Sequence, residues 1–373
     1  MIKIGLLGAN GQVGTEVAFY LSRHENVVLS CLIRSEYSAA LFKLLSIPYL
    51  VVDYADTKRL SCHLLSFDAV LDFSYQAGEI SETLKWLKKH MQLVVSHMRP
   101  GSKYVYMSSV MAYGMSNPAV HLKNHLFPRT AYAYIKRRAE TLASQTGKRH
   151  KVNVFNFRLG QIHGSLQVVT QLFLSKLSLG TFRVNGTPQS LTNTVFTYSI
   201  SDAIMRCIQG EVTPGTHTLV SSPQWTSEDL FSFYRKKYRL RAEVQYMDVL
   251  PDHRVRSTIG NRVFEKMRTF RDLAETYLLI NNPSISFKIK GMYRIKTARN
   301  EISMMQSEKE VYPMLLGPVP DRPAPVVTNV ESSADKIAAS IQRFEDGLND
   351  TIHKAKKCFG ESSNQSGEMR HGQ

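Results

Sequence analysis

Four cysteines in 373 residues are too few and too scattered to staple a fold. Cys31, Cys62, Cys207 and Cys358 form neither a Cys-x-x-Cys pair nor a zinc-knuckle spacing. They read as reduced, structural thiols of a cytoplasmic protein. No apolar run approaches the roughly 20 residues that a membrane-crossing helix needs, so no span is expected. The opening Met-Ile-Lys-Ile-Gly-Leu-Leu-Gly breaks at residues 10–12 without a cleavage-like segment, and so reads as a first strand rather than a secretion signal. Internal repeats are lacking too. Histidines with metal-like spacing are confined to His121 and His125, which lie between Pro118 and Pro128 with no acidic or cysteine partner nearby, so no metal site is expected.

Acidic residues are also in short supply: 31 Asp and Glu stand against 47 Lys and Arg, giving a formal charge of +16. The excess is spread along the chain, with a dense run from Arg235 through Lys236, Lys237, Arg239 and Arg241. Such a field attracts a phosphorylated small molecule, nucleic acid or an anionic membrane surface, and charge alone does not choose among them. A solvated basic surface is the plain alternative.

What the chain does have is alternation. Short β-prone apolar runs at residues 2–7, 27–33, 49–52, 69–73, 104–108 and 152–158 are separated by helical patterns at 14–22, 38–45, 57–65, 80–89 and 133–144. This is the signature of a parallel sheet covered on both faces, and 373 residues are enough to bury such a core. Further on, 195–202 and 216–220 read as strands flanking a helix at 203–209, part of which could return to the main sheet. A proline-rich connector follows at 313–325. Ile337, Ile341, Phe344, Leu348 and Ile352 then recur at three- and four-residue spacing, which predicts a last helix over 333–357, docked on this chain or on a partner helix.

Gly8-Ala9-Asn10-Gly11-Gln12-Val13-Gly14 follows the first predicted strand and opens the first predicted helix. That context is what a phosphate-binding loop needs, since glycines permit the tight turn and close approach while the helix N-terminus favours the pyrophosphate charge. About 20 residues on, where a carboxylate would bind the ribose of NAD, stands Arg34, which suits the extra phosphate of NADP. Glu36 keeps NAD open. Asp53, with Asp56 close behind, could accept from an adenine amino group or serve as a turn or helix cap.

Three further segments complete a pattern: Tyr104-Val105-Tyr106-Met107-Ser108-Ser109-Val110-Met111-Ala112-Tyr113-Gly114, then Tyr132-Ala133-Tyr134-Ile135-Lys136, then Arg158-Leu159-Gly160-Gln161-Ile162-His163-Gly164. With the glycine loop, and in this order, they resemble the extended short-chain dehydrogenase/reductase family of nucleotide-sugar epimerases, dehydratases and reductases, over roughly residues 1–230. The resemblance implies an α/β fold, a Rossmann-type doubly wound parallel sheet with a smaller C-terminal substrate lobe. It also implies a catalytic set of Ser109, Tyr132 and Lys136, with Ser109 and Gln161 toward substrate. The cofactor would meet Gly8, Asn10, Gly11, Gln12, Val13, Gly14, Arg34, Asp53, Phe73, Ser74, Tyr132 and Lys136. A tyrosine and a lysine four apart share a helix face, so the ammonium, helped by the positive nicotinamide ring, would lower the phenol pKa. Tyr134 is the rival tyrosine, but position 138 is Arg, not Lys.

Departures from the family pattern narrow the function. Val110 and Met111 replace the Asp-Glu pair of sugar dehydratases, which disfavours dehydration. Gln161 replaces an asparagine, and the usual diphosphate-binding arginine would fall at Val195, a role that Arg254 or Arg256 could take over. Asp72-Phe73-Ser74-Tyr75 replaces a common His-x-Ala-Ala beside the cofactor. The expected function is an NAD(P)-dependent epimerase or reductase of a nucleoside-diphosphate sugar, NADP preferred or NAD, acting as a homodimer on an anionic substrate. Reduction of a non-nucleotide ketone or aldehyde is the second expectation. A non-catalytic NADP-binding regulator or RNA-binding relative is the third, and retention of Ser109, Tyr132 and Lys136 together argues against it. The expected layout is a cofactor domain at 1–165, a mixed segment at 166–225 partly returning to the sheet, a substrate lobe at 226–312, the connector and helix at 313–357, and a disordered tail at 358–373.

Overall fold

A computed structural model describes residues 1–34, 39–76, 80–113, 131–247, 314, 330–331 and 333–365. Glu36, His121, His125, Arg254, Arg256, most of the 226–312 segment and nearly all of the proline-rich connector lie outside the described residues.

The predicted alternation forms a seven-stranded parallel sheet among the described residues. Its strands are β1 (Ile2–Leu7), β2 (Val27–Ile33), β3 (Tyr49–Val51), β4 (Ala69–Asp72), β5 (Lys103–Ser109), β6 (Asn153–Leu159) and β10 (Gly215–Leu219), in the order β10-β6-β5-β4-β1-β2-β3. The sheet is Rossmann-like and doubly wound, and its order reverses between β1 and β4, the crevice where such sheets bind ligands. Five helices connect the first six strands: α1 (Gln12–Leu21), α2 (Ala40–Leu45), α3 (Thr57–Ser66), α4 (Ile80–Ser96) and α5 (Ala131–His150). Side chains alternate across the strands with period two, and the alternation builds two cores. Val105, Met107, Phe155 and Phe157 point to one face, with α1. Val70, Tyr104, Tyr106 and Val154 point to the other, with α4 and α5.

Beyond β6 come β7 (Gln161–His163), α6 (Val168–Ser178), β8 (Thr181–Asn185), β9 (Thr194–Phe196), α7 (Thr197–Gln209), β11 (Ser221–Ser222), α8 (Ser227–Tyr238) and β12 (Glu243–Met247). The strand expected at 195–202 is a correction. Only Thr194–Phe196 is extended, and α7 starts at Thr197. The local sequence is β-prone, but Ile200, Ala203, Ile204, Cys207 and Ile208 form one buried helical face against the first core, and tertiary burial overrides propensity.

A third core packs α6, β8, α8 and β12 through Phe173, Phe182, Leu230, Phe231 and Tyr234, and so joins elements on both sides of residue 226. His163 is locked inside it, with Nδ1 2.6 Å from the Tyr234 hydroxyl, and burial pulls its pKa down to about 3.

After β13 (Val330–Glu331) the last helix, α9, covers Ala334–Gln365. It docks on its own chain. Ile337 and Ile341 enter the third core, and Phe344 packs edge-on against Phe19 of α1, with ring centroids 4.8 Å apart. Tyr238 and Lys237 of α8 hold Glu345 at 2.8 and 3.2 Å. The helix runs through 358–365, where a disordered tail was expected. Cys31 and Cys207 are buried free thiols, their pKa values pushed up to about 12 by burial, and Cys62 is an exposed one.

Candidate active site

The glycine loop lies at the C-terminal end of β1, beside the exit of β4. Gly8 has φ +69°, and a Cβ there would stand 2.6 Å from the Phe73 carbonyl carbon and 2.7 Å from the Ser74 nitrogen. A Cβ on Gly14 would stand 2.5 Å from the Gly8 oxygen. Neither position accepts a side chain, because the neighbouring atoms are backbone and cannot swing away. Gly11 is the N-cap of α1 and supplies no capping side chain. No side chain caps the first turn of the helix, whose N-terminus can therefore receive an anion. A dinucleotide pyrophosphate fits this cradle. Asn10 and Gly11 are exposed on its rim.

Arg34 is exposed immediately beyond β2. Asp53 is exposed just after β3, and its Oδ1 accepts the Ala55 N–H at 2.8 Å, a turn bond. Asp56 caps α3 by accepting from the Arg59 N–H at 3.0 Å. Phe73 and Ser74 form the turn after β4, with the Ser74 N–H donating to Asp72 Oδ1 at 2.8 Å.

At the end of β5 stands Ser109, whose hydroxyl lies near enough to that of Tyr132, in the first turn of α5, to act on its pKa. Lys136, one turn further along, is buried, and its Nζ donates to the Met107 carbonyl at 2.7 Å. Three tyrosine rings surround that ammonium: Tyr106 at 5.0 Å, Tyr75 at 5.2 Å and Tyr132 at 5.7 Å from Nζ to centroid. Burial pulls the Lys136 pKa down to about 8, opposed by the charges of Asp72 and Glu140. Burial raises the Tyr132 pKa, the Ser109 hydroxyl opposes the rise, and Tyr75 adds to it. The lowering expected from Lys136 is thus not present in the protein alone. The second contributor to that expectation, a positive nicotinamide ring, belongs to the cofactor.

A buried ion pair fixes the geometry. Glu140 of α5 accepts from Arg158 of β6 at 2.9 and 2.7 Å and from the Ser108 hydroxyl at 2.5 Å. Helix α5 is thereby pinned to two strands beside the Ser109–Tyr132 contact. Gln161 is buried at the start of β7, two residues beyond Leu159, the register partner of Ser109. Val195 is fully buried in β9 and carries no charge toward a ligand.

Residues 4–178 match the model of the NAD dependent epimerase/dehydratase family. The fold is similar to that of UDP-N-acetylglucosamine 4-epimerase from Bacillus cereus, at 16% identity and TM-score 0.52, covering 66% of this chain and 88% of that one. It is similar to UDP-glucuronic acid 4-epimerase from Bacillus cereus, solved with UDP-glucuronic acid and NAD, at 15% identity and TM-score 0.50, covering 67% and 87%. The UDP-Glc/GlcNAc 4-epimerase from Campylobacter jejuni matches at 12% identity and TM-score 0.50, covering 66% and 86%. No curated protein matches the sequence. No described helix is long and apolar enough to cross a membrane. Among the described residues no cluster of His, Cys, Asp and Glu could hold a metal ion.

Two parts of the site escaped the sequence reading. Tyr75 meets Tyr132 edge-on with centroids 5.7 Å apart. Asp72 is buried with His90 of α4 and Tyr104 of β5, at 2.8 and 2.5 Å. The only signal for either was the departure of 72–75 from His-x-Ala-Ala.

Proposed function

We propose that the protein is an NAD(P)-dependent epimerase or reductase that moves a hydride to or from a sugar carbon of a nucleoside-diphosphate sugar. One observation carries this reading: at the C-terminal edge of the sheet the buried Lys136 ammonium donates to the Met107 carbonyl of β5, two residues before Ser109, and stands 5.7 Å from the centroid of the Tyr132 ring. The glycine loop, Phe73 and Ser74 would hold the cofactor, and the nicotinamide supplies the hydride acceptor or donor when bound. Tyr132 is placed to give or take the proton of the reacting oxygen, Ser109 to hold that oxygen, and Lys136 to keep a positive charge beside both. Arg34 supports NADP, and with it a reductase that exchanges its cofactor. The nucleotide-sugar 4-epimerases of similar fold support the substrate class.

The test is a binding titration with NADH and NADPH by cofactor fluorescence, followed by turnover on a panel of nucleoside-diphosphate sugars. Arg34→Asp should weaken NADPH more than NADH, because attraction to the 2′-phosphate becomes repulsion. Equal NADPH affinities before and after the change remove Arg34 from the site. A second reading, reduction of a non-nucleotide ketone or aldehyde, is favoured by one observation: Val195, where a diphosphate-binding arginine would fall, is sealed in the core. Turnover of simple carbonyl compounds without any response to nucleotide sugars would select it.

A further inference from the structure

Asp72, the last residue of β4, is fully buried in the wall of the cofactor crevice. Its Oδ1 accepts the Ser74 N–H at 2.8 Å, and its Oδ2 accepts from His90 Nε2 at 2.8 Å and the Tyr104 hydroxyl at 2.5 Å. The Trp86 indole lies flat on the His90 ring, with centroids 4.8 Å apart at 11°. The ring plane is therefore fixed. On β5 the register partner of Asp72 is Tyr106, whose ring stands 5.0 Å from Lys136 Nζ and whose hydroxyl is buried without a hydrogen-bond partner among the described residues. The carboxylate, the Tyr106 ring and the ammonium thus follow one another along the α4–α5 face toward Tyr132.

We propose that Asp72 and His90 are a positioning pair: together they hold the Ser74 turn against the glycine loop, and the Asp72 carboxylate, its field trimmed by His90, favours the Lys136 ammonium, so that helix α4 tunes occupancy of the cofactor crevice. The inference rests on the proposed cofactor chemistry of this site. Ser74 ties the pair to the loop directly, because its nitrogen is one of the atoms that leave Gly8 no room for a side chain. The link to Lys136 is electrostatic. Burial disfavours the ammonium, and the Asp72 carboxylate is the charge on the facing strand that opposes this. The Asp72 charge favours the proton on His90, and the cation so formed neutralises part of that carboxylate's field. Lys136 is otherwise faced by Tyr75, Tyr106 and, from its own helix, Tyr132 and Glu140, and His90 by Tyr54 and Trp86.

The two partners therefore act on Lys136 with opposite signs. Removing the carboxylate with Asp72→Asn should make the ammonium harder to keep, and removing the cation with His90→Gln should make it easier. A packing role has no such sign.

The experiment titrates NADPH into the full-length wild type, D72N and H90Q from neutral to alkaline pH. Wild-type affinity should fall as pH rises through about 8. The midpoint should move down by about one pH unit in D72N, the scale expected of one nearby charge, and in the opposite direction in H90Q. Midpoints that stay put, or move in the same direction, overturn the inference. Should D72N fail to fold, H90Q decides alone, since an unmoved or lowered midpoint overturns it. The Lys136 titration is also read directly, by NMR of isotope-labelled lysine assigned with Lys136→Arg. If neither NADPH nor NADH binds but Lys136 still shifts in opposite directions, the cofactor reading fails and the pairing stands. If a cofactor binds and Lys136 does not shift, the pairing fails and the cofactor reading stands.

Discussion

Each face of the central sheet buries a carboxylate, and the surroundings give the two opposite characters. On the α1 side Glu16 accepts from the Leu166 N–H at 2.6 Å, the Thr197 hydroxyl at 2.7 Å and the Gln167 amide at 2.9 Å. All three donors are neutral. Burial raises its pKa, and these bonds only partly oppose the rise. On the α4 side Asp72 is as deeply buried, yet its pKa is lowered: burial pushes it up, and the charge and hydrogen bond of His90, with Tyr104 and Ser74, outweigh that push. Neutral donors can satisfy a buried carboxylate, whereas an adjacent cation lets it stay ionised. Glu16 therefore reads as a cross-link between α1, the turn before α6 and α7. Asp72 reads as a standing charge beside the reactive groups.

The sharpest break of this contrast is catalytic. If the chemistry belongs to the α4–α5 face, Tyr132→Phe should lower turnover by about 10² to 10⁴ while leaving folding and cofactor affinity nearly intact, since the phenyl ring keeps the packing and loses only the proton-transfer group. Glu16→Gln should leave turnover near wild type. Steady-state rates on whichever substrate the panel yields decide this, and equal losses in the two variants would erase the distinction between the faces.

Stability should separate the carboxylates next. Asp72→Ala leaves His90 buried without its counter-charge, and breaking one side of such a pair costs about 3–5 kcal/mol. Glu16→Gln keeps acceptor oxygen for its neutral donors and removes a carboxylate that burial already disfavours, so its cost should be about 1 kcal/mol or less. Urea unfolding at neutral pH gives both numbers. A Glu16→Gln loss as large as that of Asp72→Ala would show that the α1-side carboxylate is held as a charge after all.

The pH dependence of stability carries the same contrast with its signs worked out. Burial lowers the His90 pKa and Asp72 raises it, with a net rise above its ordinary 6.5. Its contribution is fully present below 6.5 and is lost as pH climbs through the raised value. The Asp72 contribution is present above 3.8 and is lost as pH falls through the lowered value. Glu16 behaves oppositely: its folded form favours the proton, so stability declines as pH rises from 4.5 to the raised value and stays lower beyond it. Urea midpoints against pH should therefore flatten above 6.5 in His90→Gln, and just above 4.5 in Glu16→Gln. Unchanged profiles would mean that neither group changes its proton affinity on folding.

Much of this arrangement was legible in the sequence, for reasons that also explain what was not. Period-two strands, three- and four-residue helical spacing and the glycine loop are local patterns, and they placed the sheet, the docked face of α9 and the cradle at Gly8 and Gly14. Tyr132 and Lys136 were legible because four residues make one helical turn. The Asp72–His90 pair was not, because the two stand 18 residues apart on different elements. His90 sits among Lys85, Lys88 and Lys89, which reads as a solvated helix face until α4 is laid on the sheet. Glu16 escaped for a similar reason, as a glutamate in a first helix is ordinarily exposed. At 195–202 the local signal itself misled, since β-branched and aromatic residues preceded a helix whose buried face only the first core reveals.

The smallest expected effect guards the register of the active-site motif. Tyr134 lies two residues from Tyr132 on α5, rotated to a different face of the helix, and is half-buried against the α4–α5 core. Lys136 is two residues further along, so it cannot lie one turn below Tyr134, and the residue that does is Arg138, which is exposed. Tyr134→Phe should keep that packing and shift stability by roughly 0.5 kcal/mol or less, with turnover near wild type. If Tyr134→Phe abolishes turnover while Tyr132→Phe does not, the motif is displaced by two residues, and the buried charges of the α4 side serve a different tyrosine.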